Sequence, residues 1–160
     1  EGVFRPGFFS GVVTVVAKFF NQALPDRAYF GEKDYQQICV IKRMTTDLDI
    51  PVDIISCPII REPDMLALSS RNQYLSSKQR SVAPALHSAL VEIAESFRSS
   101  GNSTSAISKG SKALLNNGFT KIDYLAICNP LTLEPVEDNL ESFRVLGAAW
   151  LGDTRLIDNI

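Results

Sequence analysis

The chain has 160 residues, of which 45% are hydrophobic and 21% charged, and its formal net charge is −2. That is the size of one globular domain, or of one domain and part of another, and such a chain can bury roughly 70% of its unfolded surface. The charge makes no case for nucleic acid, and no apolar run approaches the roughly 18 residues of a membrane span. No basic segment followed by an apolar one marks a secretory signal. The first residue is Glu1 and the opening "EGVFRPGFF" has no leading element, so a fragment or processed chain is expected.

Residues 8–23, "FFSGVVTVVAKFFNQA", carry apolar side chains at Phe9, Val12, Val13, Val16, Phe20 and Ala23. These are helical intervals. Phe8, Val15 and Phe19 make other faces apolar too, which predicts a well-buried helix. The β-branched content leaves a strand as the competing reading. Pro25 ends the element. Residues 27–31 read as a short buried strand entering Gly31. A helix starting at Asp34 presents Ile38, Ile41, Thr45 and Leu48 inward, and "PVDIISCPI" is a second buried strand. Strand, helix and strand make a βαβ unit with parallel strands.

After Pro63 the pattern changes. "LALSSRNQYLSSKQR" is a polar loop leading into a long helix, and Ser76 and Gln79 have capping-box spacing at its start. Val82, Leu86, Leu90, Ile93 and Phe97 form its core stripe, with Pro84 expected to kink the first turns. Gly101 is a stop signal. "RSSGNSTS" (residues 98–105) reads as a flexible linker. A helix over 104–117 closes at Gly118. Three strands follow, "KIDYLAIC", "FRVLGAAWL" and "TRLIDN", the last two joined by a hairpin at Gly152–Asp153. The chain is thus expected to divide near residue 60 into part of a parallel α/β domain and a smaller α+β domain.

Cys39, Cys57 and Cys128 are odd in number, far apart and set in apolar pattern, as expected of free buried thiols in a reducing compartment. The only His, His87, is flanked on its helix by Leu86, Ala89 and Leu90 and reads as a surface or half-buried helix residue. With one His and no Cys-x-x-Cys, no protein metal site is predicted.

Three stretches carry polar groups at places suited to a ligand. "FGEKDYQQ", Phe30 to Gln37, sits where a strand hands over to a helix. Ligands bind beyond such strand ends in parallel sheets, and a helix N-terminus favours phosphate. Gly31 admits a ligand close to the backbone and Lys33 adds a cation. Equally, Asp34 and Gln37 have capping-box spacing, and Gly31 suits a plain turn. "LALSSRN", Leu66 to Asn72, offers two hydroxyls and a guanidinium for phosphate oxygens, or is simply a polar loop with a Ser cap. "RPGFFSG" places Arg5 before a Pro-Gly turn, as a ligand contact or as an exposed arginine.

Taken in order, "FGEKDYQQ", "PIIREPDMLALSSRNQYLSSKQR" and "AAWLGDTRLIDNI" resemble the pantothenate synthetase (pantoate–β-alanine ligase) family, and the resemblance runs through nearly the whole chain. It implies an α/β fold: residues 1–59 as the second half of a Rossmann-like nucleotidylyl transferase domain, and 60–160 as a small α+β lid. It implies ATP-dependent condensation of pantoate with β-alanine to pantothenate through pantoyl adenylate, releasing AMP and pyrophosphate, with Mg2+ accompanying ATP. By this similarity Gly31, Glu32, Lys33 and Asp34 would contact ATP and Gln37 would hold pantoate. Ile60 would meet adenine through backbone bonds. Leu68, Ser69, Ser70 and Arg71 would form the phosphate-binding loop, with Lys33, Ser69, Ser70 and Arg71 catalytic, and Arg5 would assist at the substrate and phosphate end. A cytoplasmic homodimer is implied.

The family also carries an N-terminal half with a His-x-Gly-His motif and a further pantoate-binding Gln, neither of which occurs in these 160 residues. Its usual "RPGHFRGV" stands here as "RPGFFSGV", with Phe8 for His and Ser10 for Arg. Residues 1–160 are therefore expected to be the C-terminal portion of a family member and inactive alone. The alternatives are a noncatalytic remnant that binds a nucleotide or partner, and another adenylate-forming nucleotidylyl transferase.

Overall fold

In the computed structural model, which describes residues 1–136 and 142–160, the chain divides into two units, Glu1–Ile59 and Ile60–Ile160. In the first, helix α1 (Phe8–Ala23) starts after Gly7, whose φ of 76° suits glycine. Strand β1 (Arg27–Gly31) pairs in parallel with β2 (Asp53–Cys57), in register from Arg27↔Asp53 to Gly31↔Cys57. A single 3₁₀ turn (Glu32–Asp34) and helix α2 (Tyr35–Asp47) connect them. This is the βαβ unit read from the sequence. The second strand is shorter than its apolar run because Pro51 and Pro58, which cannot donate to the ladder, bound it.

One layer of core holds this unit. Phe20, Ile41 and Met44 are buried, with Val12, Val13, Val16, Ala28, Phe30 and Ile54 packed against them. The α1 residues recur at helical spacing, and Ala28, Phe30 and Ile54 are the inward half of alternating strands. Two expectations fail here. Val15 and Phe19 are 44% and 59% exposed, because within this unit α1 has material to pack on along one face only. Leu48 is 60% exposed, since α2 ends at Asp47; Met44, one turn earlier, fills the inner position instead.

In the second unit, helices α3 (Ser77–Val82), α4 (Ala85–Ser100) and α5 (Ser103–Asn116) precede an antiparallel sheet of order β3-β4-β5. Its strands are β3 (Lys121–Cys128), β4 (Arg144–Leu151) and β5 (Thr154–Asn159). Leu86, Leu90, Ile93 and Phe97 of α4 are all buried, in one core with Leu114 of α5 and Val145, Ala149 and Leu156 of the sheet. The Phe97 ring meets Phe143 edge-on at 5.0 Å. Gly110 permits close approach of α5 to α4, since a Cβ there would collide with the buried Ile93 side chain.

The caps explain the remaining boundaries. The Ser76–Gln79 capping box forms in both directions: Ser76 N–H donates to Gln79 Oε1 at 2.8 Å, and Gln79 N–H to Ser76 Oγ at 3.3 Å. Pro84 separates α3 from α4 rather than kinking one helix, because it has no N–H for the carbonyl four residues back. Gly101 stops α4 with φ 66° and an N–H bond to the Phe97 carbonyl. The expected 98–105 linker is mostly helix. Only Gly101 and Asn102 lie between α4 and α5, and Asn102 Oδ1 caps α5 by accepting from Ser105 N–H at 2.8 Å. None of the three cysteines forms a disulfide, and only Cys128 is buried; Cys39 and Cys57 are half-buried. No helix among the described residues is long and apolar enough to cross a membrane.

Candidate functional site

In the first unit the chain leaves β1 at Gly31 and enters α2 through the Glu32–Asp34 turn, so Gly31, Glu32, Lys33, Asp34 and Gln37 lie within two turns of backbone. Gly31 and Asp34 are exposed; Glu32, Lys33 and Gln37 are half-buried. Gly31 has φ −72° and ψ 130°, a conformation open to any residue. A Cβ there would meet nothing within 4 Å. Nothing inside this unit therefore requires glycine at the position.

The Asp34–Gln37 capping box does not form, and the Asp34 side chain makes no cap bond at all. The preceding 3₁₀ turn sets Asp34 at φ −96°, ψ 54°, away from the extended conformation that aims a cap side chain at the helix. The start of α2 is thus left without a side-chain cap from Asp34, at the end that carries its positive dipole. Sequence reasoning missed Lys42, whose Nζ lies 3.3 Å from Ser56 Oγ on β2. Arg5 is engaged locally: its guanidinium lies 3.8 Å over the Phe8 ring and 3.3 Å from Glu1 Oε1. Phe8, which stands where the resemblance expects His, thus lies beneath the Arg5 guanidinium.

In the second unit residues 60–68 double back on themselves. Leu68 N–H donates to the Ile60 carbonyl at 2.9 Å, Glu62 N–H to that of Leu66 at 2.8 Å, and Arg61 bridges Ala67. Met65 turns the chain with φ 73°. Ile60 and Leu68, 66% and 46% exposed, are thereby side by side as apolar residues on the surface. The strap runs into a 3₁₀ turn (Ser70–Tyr74) capped by Ser69, whose Oγ accepts from Arg71 N–H at 3.2 Å. Ser70 and Arg71 are exposed, and the Arg71 side chain has no hydrogen bond or ion pair among the described residues. Asn72 closes the loop, donating from Nδ2 to the Ala67 carbonyl at 3.1 Å.

The strap is also tied down at its base. Arg61 donates to both carboxylate oxygens of Asp158, at 2.7 and 2.9 Å, and to the carbonyls of Asn159 at 3.2 Å and Met65 at 3.0 Å. Asp64 pairs with Arg80 of α3 at 2.5 Å, and that hydrogen bond holds its carboxyl below the usual range. His87 of α4 places Nδ1 3.7 Å from Asp158 Oδ2, beyond hydrogen-bond reach. Burial and then the Arg61 charge push the His87 pKa down, outweighing the pull of Asp158. These anchors escaped sequence reasoning. The available signal was the Asp–Asn pair that directly follows the apolar Leu156–Ile157 step at the end of β5.

Each unit therefore presents one short stretch whose groups are able to donate hydrogen bonds to an anion. The first offers a lysine beside a helix start; the second offers two hydroxyls and an uncommitted guanidinium on a braced turn. Donors of this kind are suited to holding and polarising phosphate oxygens.

A family model for pantoate-beta-alanine ligase matches residues 1–160. The pantothenate synthetase of Mesorhizobium japonicum is 49% identical over 160 residues, which take in 100% of this chain and 56% of that protein. The crystal structure of pantothenate synthetase from Thermus thermophilus matches with a TM-score of 0.93 at 47% identity, over 100% of this chain and 58% of that one. The ligase from Francisella tularensis, complexed with beta-gamma ATP and beta-alanine, matches with a TM-score of 0.75 at 35% identity, over 100% of this chain and 52% of that one. The chain thus spans a little over half the length of these relatives. With sequence and α/β fold in agreement from Glu1 to Ile160, the chain belongs to the pantoate-beta-alanine ligase family.

Proposed function

We propose that this chain contributes the second part of an enzyme that condenses pantoate with β-alanine at the expense of ATP. The pantoate carboxylate attacks the α-phosphorus and pyrophosphate leaves, giving pantoyl adenylate. The β-alanine amine then attacks the acyl carbon, sheds its proton, and AMP leaves with pantothenate as product. The carboxylate is already a nucleophile, so the first step needs no general base. Its barrier lies in bringing anions together and stabilising charge on phosphorus, which positioning and fixed cations achieve.

In this reading Gly31, Glu32, Lys33 and Asp34 contact ATP, with Lys33 on phosphate, and Gln37 holds pantoate. Ile60 meets adenine through its backbone. Leu68, Ser69, Ser70 and Arg71 grip the triphosphate, and Arg5 assists at the substrate end. Residues 1–59 act as the ATP- and pantoate-binding part and 60–160 as the second domain. The observation that carries the reading is Arg71: an exposed guanidinium, set on a Ser-capped turn and committed to nothing else among the described residues. In this reading Mg2+ accompanies the nucleotide, and no step is assigned to it. A cytoplasmic homodimer completes the reading, and cysteines outside any disulfide suit a reducing compartment.

Residues 1–160 contain no His-x-Gly-His segment. Taken alone they are expected to make no pantothenate. The test joins them behind the preceding segment of the Mesorhizobium japonicum relative and follows AMP and pyrophosphate release dependent on pantoate and β-alanine. Lys33→Ala and Arg71→Ala should each lower adenylation about 10²- to 10³-fold, the scale of one preorganised charge-stabilising donor. Full rates in both variants would remove these turns from the site. Turnover by residues 1–160 unaided would overturn the expectation of inactivity.

A further inference from the structure

We infer that the Arg61–Asp158 pair is the positioning device of the phosphate loop. It ties the base of the strap to β5 and so sets the direction in which Ser69, Ser70 and Arg71 face an anionic ligand. This rests on the reading of that loop given above.

The geometry carries the inference in three steps. First, the Arg61 fork is fully used across a sequence gap of 97 residues, with both carboxylate oxygens of Asp158 engaged. Asp158 is held from its own side by Asn159 N–H at 2.8 Å, and Asn159 Oδ1 accepts from Arg144. The anchor point on β5 is thus itself fixed. Secondly, the same guanidinium reaches the Met65 carbonyl at the strap's reversal, so one side chain joins the turn to the sheet. Thirdly, the strap transmits its placement. Arg61 bridges Ala67, and the Ala67 carbonyl accepts from Asn72, so both ends of the Leu68–Arg71 segment are fixed to a residue paired with Arg61.

The chemistry of the pair agrees. The Asp158 and Arg61 side chains are 3% and 14% exposed, and a buried pair stabilises little compared with well-packed apolar residues of the same volume. What it provides is direction: a planar fork matched to a carboxylate admits one geometry, whereas a lysine's point charge admits many.

Arg61→Lys keeps the charge and loses the fork, so it is the informative variant; Asp158→Asn is its partner. Asp123→Asn is the control, removing an equally buried carboxylate of the same sheet that does not touch the strap. In hydrogen exchange on residues 1–160, Arg61→Lys and Asp158→Asn should speed the amides of Leu68 to Asn72 about tenfold or more beyond any change shared by β3–β5. In the joined enzyme the KM for ATP should rise about 10- to 100-fold, the scale of a displaced positioning element, with the KM for pantoate unchanged. No selective loosening, or the same pattern in Asp123→Asn, would overturn the inference. Loosening with an unchanged KM for ATP would also overturn it, and Arg71→Ala then separates the causes. A strong Arg71→Ala defect means the loop reading stands and the positioning role falls; a silent Arg71→Ala means both fall.

Discussion

Replacing Asp123 with Ala should cost the second unit about 3–5 kcal/mol, the usual penalty for removing one partner of a buried ion pair. Asp123 is the extra residue of a bulge between Ile122 and Tyr124, and its side chain is only 3% exposed. Its Oδ2 accepts from Arg155 Nε at 2.7 Å, and its Oδ1 from Trp150 Nε1 at 3.0 Å with Lys121 Nζ 3.1 Å away. Lys121 is 64% exposed, so its share is about 0–1 kcal/mol. The weight falls on Arg155, itself 8% exposed, which loses its opposing carboxylate. Arg155→Ala strips one of three donors and leaves the other two, so about 1.5–3 kcal/mol is expected. Against a domain stability of about 5–15 kcal/mol, both are measurable and their order is diagnostic. Urea unfolding followed by Trp150, the chain's only tryptophan, reads the second unit directly. The pH dependence supplies a second test. Burial alone would raise the Asp123 carboxyl, but the bonds from Arg155, Trp150 and Lys121 outweigh it and hold the pKa below 3.8. Above 3.8 the contribution is fully present; as pH falls below it the unfolded chain takes up the proton first, and the contribution fades. The gap between wild type and Asp123→Asn should therefore narrow in acid. Equal costs for Asp123→Ala and Arg155→Ala, or a gap independent of pH, would refute this account.

His87 behaves in the same sense from a different starting point: its pKa is lowered from 6.5, so both states are neutral above that value and the unfolded state protonates first below it. Thermal stability should fall as pH drops below 6.5, and His87→Gln should flatten that slope; parallel profiles would exclude His87 as the cause. Phe8→Leu removes the ring beneath Arg5 and should loosen the start of α1 by about 0.5–1 kcal/mol, read as faster exchange around Phe9–Val12; unchanged exchange would show that the stacking contributes nothing. Val15, Phe19, Tyr29 and Ile55 expose apolar surface on the first unit, and among the described residues each strand of its two-stranded sheet pairs on one side only. Residues 1–160 should therefore self-associate, whereas a monodisperse monomer in sedimentation would refute that.

Local signals in the sequence are legible where the backbone beneath them is ordinary, and misleading where it is not. The ends of α1 and β1 follow from apolar spacing, Pro25 and Gly31. Ser76–Gln79 and Asp34–Gln37 share one spacing, yet only the first forms a capping box. Ser76 is extended at φ −63°, ψ 161°, and Asp34 is turned to ψ 54° by a 3₁₀ turn that no residue pattern announces. Residues 98–105 mislead differently: serines and asparagine suggest looseness, but Asn102 serves as a cap. The apolar faces of α1 are visible in sequence, but whether a layer lies against each is a property of the whole fold. The site divides along the same line. Gly31–Gln37 and Leu68–Arg71 are contiguous and can be located from residue types alone. Arg61 cannot be joined to Asp158 that way, because nothing local to either names the other.

Gly31 separates what the fold needs from what a ligand needs. Its φ of −72° and ψ of 130° suit alanine, and an added Cβ would enter open space. Gly31→Ala should therefore leave the native chain unstrained and restrict the unfolded one, raising stability by about 0.4–1 kcal/mol. If ATP approaches this backbone, the same methyl group stands in its way, and the KM for ATP should rise by about tenfold or more even as the protein becomes harder to unfold. A substitution that only damaged the fold would instead lower stability as it raised the KM. Denaturant midpoint and ATP dependence of pyrophosphate release, measured on one preparation of the joined enzyme, decide the matter. A less stable variant would mean that the turn is under a constraint its geometry does not reveal. A more stable variant with an unchanged KM for ATP would take Gly31 out of the nucleotide site and leave Lys33 to carry that turn alone.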